Sequence, residues 1–477
     1  MTDVLPVELV FAGPPFDAAA VRHTLRHLAM RVGWQLVPHS RYRLVYATDC
    51  LEELHARTQA ESDTVIVPSS RLVGSHLQQE RRPFPVARRP DGRLVPFPQP
   101  STESRRGWVD GDVIAGAYAC LNLWYEQRTR SSAGDGWITY EQDWMAHAGL
   151  PAPLPLADQW LDMVYDAAVQ VGWPATQPQR ACTIVLTHDV DYLPGHRDRG
   201  LPRLVRGLYR QLMLRHRPAD ALRLVLSYLA AVTRTPAPYF ELPRIVAEEE
   251  QRGARSSFQF VVARKHRHDP QYADGTTGLD AVPAEWEICL HGSYLAARTP
   301  GQLSRERARL EALVGRPVQG HRQHYLNFEP ANLMREVAAA GLRYDMSIGY
   351  NDRSGPRAGT YFPFRPYDLD HARAHTFWEI PFVLMDTTMA TTYRLGPEAA
   401  LLHSQSVLQP VIAAGGCVAI IWHQEQCGGL LDPGYERVYR DLLDWLVARG
   451  GRLTTGGSLL PALDAAWDAT VADDTSR

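Results

Sequence analysis

Apolar positions along this chain follow two spacings. Short runs rich in β-branched residues, among them Leu5–Ala12, Arg43–Tyr46 and Thr64–Pro68, read as strands. Helix-spaced apolar positions over 17–32 complete a small α/β unit. A stretch rich in Pro and Arg, from about Gln78 to Gly107, predicts a long surface loop. Helices are expected over 110–126 and 156–172, and the Pro-rich segment Trp173–Gln179 is the best boundary.

From Thr183 onward the two spacings interleave. Strands are predicted over 183–191, 257–262, 287–292, 318–325, 344–348, 377–385 and 418–422. Helices are predicted over 303–313, 330–340, 397–413 and 433–449. A helical region from Pro202 to about Arg234, broken near Arg217-Pro218, follows the first of these strands and is too interrupted by Arg to cross a membrane. Repeated strand–helix alternation argues for a parallel sheet. About seven such units, with polar residues at strand C-termini, predict a distorted (β/α)7-type barrel, and a doubly wound open sheet is the alternative. The expected organisation is a separate N-terminal α/β domain, 1–175, and a barrel, 180–470.

Four of these strands end in groups suited to chemistry. The run Thr183–Thr187 leads into His188, Asp189, Val190 and Asp191. Alternation sends Asp189 and Asp191 to one face and His188 to the other, where it reads as a packing residue. Two carboxylates ending a buried strand suit one general base and one metal ligand, or else cap the next element. His291 ends Glu287–Leu290, and a histidine there suits zinc and similar ions. Arg322 and His324 share strand parity, so Arg322 can hold a carboxylate such as Asp189 ionised and His324 can serve as a further ligand. His423 ends Cys417–Trp422 and suits a general acid near neutral pH. Each residue alone has an ordinary structural reading; their shared position at strand ends favours one site.

Composition narrows the class. A net charge of -3 and a pI near 6.7 point to neither nucleic acid nor an anionic membrane surface. Arg supplies nearly all the positive charge, since Lys265 is the only lysine. Cys50, Cys120, Cys182, Cys289, Cys417 and Cys427 form no CxxC pair, which fits a reducing compartment. No signal-peptide pattern opens the chain and no window has 18 uninterrupted apolar residues, so a cytoplasmic protein without a membrane span is expected.

At these residues the chain resembles the polysaccharide deacetylase family, which includes chitin, peptidoglycan and rhizobial oligosaccharide deacetylases. The resemblance covers about 180–465 and implies a distorted (β/α) barrel, a divalent metal, usually zinc, and hydrolysis of an acetamide. Thr187–Asp191 looks like the first motif, making Asp189 the general base and Asp191 a metal ligand. His291-Gly292-Ser293 looks like the start of the second motif. Arg322–Tyr325 looks like the third, with Arg322 steering the base and the Tyr325 backbone N–H available to an oxyanion. Trp422-His423 looks like the last, with His423 as general acid. Two positions depart from the pattern. Leu295 stands where the second motif carries another metal-binding histidine, and His324 stands where the third carries Pro. The expectation is that His324 replaces the missing ligand beside Asp191 and His291. The set also looks like a bacterial branch with an extra N-terminal domain.

The expected activity is metal-dependent hydrolysis of a non-peptide amide, the N-deacetylation of an N-acetylated sugar or cell-envelope polysaccharide precursor. A small molecule or oligosaccharide is the expected partner. A cyclic-amide hydrolase related to allantoinases is one alternative, and a non-catalytic carbohydrate-binding protein is another. Trp378 is a candidate sugar-stacking residue, whereas Trp108, Trp124, Trp137, Trp144 and Trp160 read mainly as core and interface aromatics.

Overall fold

A computed structural model describes residues 4–48, 63–69, 73–74, 76–77, 83–98, 106–129, 139–176, 180–191, 241–270, 278–428 and 434–472, with isolated positions between 204 and 229. Most of the Pro202–Arg234 region, parts of the Gln78–Gly107 stretch, Gln177–Gln179, Cys50 and Trp137 lie outside the described residues. The fold is mixed α/β and contains two parallel sheets.

The first sheet runs in the order Trp34–Val37, Leu5–Ala12, Arg43–Ala47, Thr64–Pro68. Its first helix, Ala18–Val32, starts where the Asp17 side chain accepts from Ala20 N and ends at Gly33, whose φ of 75° is open to glycine at little cost. The stretch expected as a surface loop is in part an antiparallel hairpin, Val86–Arg88 with Leu94–Pro96. Phe84, Val95 and Phe97 are buried there, so apolar side chains inside a Pro/Arg-rich segment found a core that composition had masked.

The second sheet curls into a distorted barrel. Its strands run in the order Trp378–Glu379, Tyr344–Asp345, Gly320–Gln323, Glu287–Gly292, Ser257–Phe260, Thr183–Val190, Cys417–Ile421, Phe382–Met385. The first and last of these are two halves of one stretch, interrupted at Ile380-Pro381, because proline cannot donate to a ladder. That stretch pairs with Tyr344–Asp345 at its start and with Cys417–Ile421 at its end, which carries the sheet round on itself. Arg452–Thr454 pairs with the first half of Thr183–Val190 and Ser257–Phe260 with its second half. Outer helices cover the sheet with apolar faces. In Tyr435–Ala448 the buried residues Tyr435, Val438, Tyr439, Leu442, Leu443 and Leu446 recur every three to four positions. Each fully buried leucine of this kind contributes about 1.5–3 kcal/mol. Gly292 ends its strand where a Cβ would lie 2.7 Å from His321 Nε2 and 2.8 Å from Leu303 Cδ2, so only glycine lets the neighbouring strand and helix close on it.

The two sheets share one contiguous apolar core. Polar contacts cross between them as well. The Arg357 guanidinium, buried, grips Glu126 through Nε (2.9 Å) and Nη2 (2.5 Å). Asp158 accepts from Tyr361 N and Thr360 Oγ1, both at 2.7 Å. Tyr140 N donates to the Asp352 carboxylate at 3.1 Å. No helix among the described residues is long and apolar enough to cross a membrane.

Candidate active site

A cavity of about 280 Å³ opens at the C-terminal ends of the barrel strands, where barrels of this type place their chemistry. Asp189, Asp191, His291, His324, Tyr325 and His423 all line it. Arg322 lies directly behind, fully buried. All seven sequence-predicted site residues therefore meet in one place. Trp378 does not: it is buried at the other end of its strand, its Nε1 donating to Asp464 at 2.9 Å and its ring against Trp467. It offers no face to a sugar.

The strand Thr183–Val190 separates its neighbours by parity, as its sequence requires. Asp189 faces inward. His188 faces the outer helices, with Nδ1 2.7 Å from Trp422 O and Nε2 2.8 Å from Glu249. In register with His291, Arg322 donates from Nη1 to Asp189 Oδ1 (2.7 Å) and to Thr187 Oγ1 (2.8 Å), and from Nε to Met346 O (3.0 Å). Burial pushes the Asp189 carboxyl up, but the guanidinium, His291 and His423 outweigh it, and Asp189 titrates below the usual carboxylate value.

Three groups converge beside it. Asp191 Oδ1 lies 3.6 Å from His291 Nε2 and 3.5 Å from His324 Nε2. The His291 Nδ1–H donates to Arg322 O at 2.9 Å, which sets its tautomer and turns Nε2 to the cavity. Asp191 Oδ1 is buried and accepts no hydrogen bond among the described residues. Separations of 3.5–3.6 Å are too long for good hydrogen bonds. They suit ligand atoms around one tetrahedral ion, which at about 2.0–2.1 Å each would stand roughly 3.3–3.4 Å apart. A carboxylate with two imidazoles is also a fitting donor set for zinc, so the residues present fit a divalent metal. In the ion-free chain burial lowers His324 but Asp191 and Asp269 overcome this and raise it to about 9, whereas burial prevails at His291 and lowers it to about 4.

His324 arrives by a route different from the expected one. The strand ends at Gln323, and His324–Leu326 form a tight turn in which Tyr325 and Leu326 adopt left-handed φ values of 56° and 53°. Strand parity therefore does not aim His324; the turn does, with Asp269 behind it at 3.7 Å from Nδ1. The carboxylate of Asp269 is itself fixed by the backbone N–H groups of Lys265, His266 and Tyr294.

Two further residues complete the site without having been singled out in the sequence. Asp386 accepts from the His423 ring at Nδ1 and from its backbone N–H, both at 2.7 Å, leaving Nε2 for the cavity. Burial lowers His423, but Asp386 and the other carboxylates hold it well above its ordinary value. Asp386 directly follows Phe382–Met385, so the signal that found the other residues, a polar group just past a strand, extends to it. Asp269 lies in a loop and carries no such signal.

No family model matches the chain, and no curated protein sequence matches it. Among solved structures it is similar to a protein from Mycobacterium smegmatis assigned as a polysaccharide deacetylase, with 18% identity, 62% of this chain and 93% of that one covered, and a TM-score of 0.40. One from Pseudomonas aeruginosa PAO1, assigned likewise, has 14% identity, coverage of 61% and 96%, and a TM-score of 0.40. A CE4 family pseudoenzyme from Bacillus anthracis has 12% identity, coverage of 59% and 66%, and a TM-score of 0.27. These likenesses concern the fold and carry no residue roles.

Proposed function

We propose that the chain is a metal-dependent hydrolase of a non-peptide amide that removes the acetyl group from an N-acetylated sugar or a cell-envelope polysaccharide precursor. The observation that carries this reading is the convergence of Asp191, His291 and His324 beside an Arg-held Asp189 and an Asp-backed His423. A divalent ion held by those three ligands, zinc in this reading, supplies Lewis acidity toward the acyl oxygen and eases deprotonation of water. Asp189, its Oδ1 engaged by Arg322, takes the proton of the attacking water. The Tyr325 backbone N–H is assigned to the developing oxyanion. His423, oriented through Asp386, delivers a proton to the leaving amine. A third donor, the imidazole nitrogen of His324, favours this reading over a metal-free cyclic-amide hydrolase, since it fills the role left vacant by Leu295.

The division into 1–175 and 180–470 belongs to the same proposal, with the N-terminal unit bracing the 349–361 loop through Glu126, Tyr140 and Asp158. The test is acetate release from N-acetylhexosamine oligomers, abolished by a chelator and restored by zinc. Inactivity across a broad acetamide panel with the metal bound would sink the reading.

A further inference from the structure

Three carboxylates line the cavity among the described residues, and one of them has no task in the scheme above. Asp189 is held by Arg322 and Asp191 faces two histidines. Glu425 sits on the turn Gln424–Gly428, just after His423, and is 5% exposed. Its Oε2 accepts no hydrogen bond among the described residues. Taking a carboxylate oxygen out of water without a partner is costly, and the cost is offset when a ligand donates to it. Among the described residues no arginine or lysine lines the cavity. Arg322, behind it, is directed to Asp189, Thr187 and Met346. An unsatisfied buried carboxyl on the cavity wall matches a ligand rich in hydroxyl groups.

We propose that Glu425 is a substrate-anchoring residue that hydrogen-bonds a hydroxyl of the sugar. The ligand class rests on the deacetylase reading; the anchoring role is tested apart from turnover. The full chain carrying Asp189→Asn is titrated calorimetrically with triacetylchitotriose, with and without Glu425→Gln or Glu425→Ala. Glu425→Ala is expected to weaken binding about 3–10-fold, the range for a hydrogen bond between neutral groups, and Glu425→Gln to weaken it less. Unchanged affinity in the Glu425→Ala variant, no binding of the sugar by the parent, or loss of metal from the Glu425 variants would each overturn the proposal. If the native chain releases no acetate while the binding pattern holds, the hydrolase reading fails and the anchoring role stands.

Discussion

Two buried histidine clusters among the described residues differ in what faces their nitrogens. Where the Ala18–Val32 helix meets the Leu460–Asp468 helix, the His23 and His27 rings lie 5.1 Å apart, both against Trp467. His23 reaches only the carbonyl of Arg365 at 2.7 Å, and neither nitrogen of His27 has a hydrogen-bond partner among the described residues. Burial pushes His23 down to about 4 and His27 well below its ordinary value. In the cavity His291, His324 and His423 are equally buried, but carboxylates stand beside all three. Burial alone makes imidazole a neutral packing ring; fixed carboxylates raise His324 and His423 enough to hold a proton, while His291, still near 4, stays a neutral imidazole suited to an ion.

The largest expected effect separates the base from the ligands. Asp189→Asn should lower acetate release by about 10²–10⁴-fold, the usual worth of a general base, while metal content stays at the native level. Loss of the metal would instead make Asp189 a ligand. His324→Ala should strip the metal on dialysis, whereas His27→Leu in the other cluster should leave it bound; elemental analysis reads both. Metal retained by the His324 variant would remove that residue from the ligand set. Asp269→Asn should act more gently, weakening metal binding by about 10–100-fold, as expected for a group that orients a ligand. An unchanged dissociation constant would reduce Asp269 to a loop-fixing residue.

The smallest effect concerns the His23/His27 pair. The unfolded chain takes up protons on these rings below about 6.5, whereas folded His23 does so only near 4. Stability should therefore be complete above pH 6.5 and decline as pH falls toward 4, by about 1–3 kcal/mol. The melting temperature of His23→Gln/His27→Leu, compared with the native chain between pH 7.5 and 5, should show a shallower fall. Parallel curves would place the acid sensitivity elsewhere.

Much of this was legible in the residues. The β-branched run Thr183–Thr187 and the run Cys417–Trp422 announce buried strands, and polar residues at their ends announce where the barrel opens. The Pro/Arg-rich stretch misled because composition reports average polarity, whereas Phe84, Val95 and Phe97 form a core individually. Ile380-Pro381 divided a strand that periodicity reads as continuous.

By itself the sequence determined the two element spacings, the opposed faces of His188 and Asp189, and the rim on which the polar residues gather. These are local properties, set by the periods of strand and helix. The tertiary structure decided which carboxylate serves which histidine. Asp269 reaches His324 from a loop 55 positions earlier, and Asp386 reaches His423 from a neighbouring strand's end. It also decided that a left-handed turn at Tyr325, rather than strand parity, presents His324 to Asp191. Such pairings depend on sheet closure and register between distant segments, and no local period encodes them.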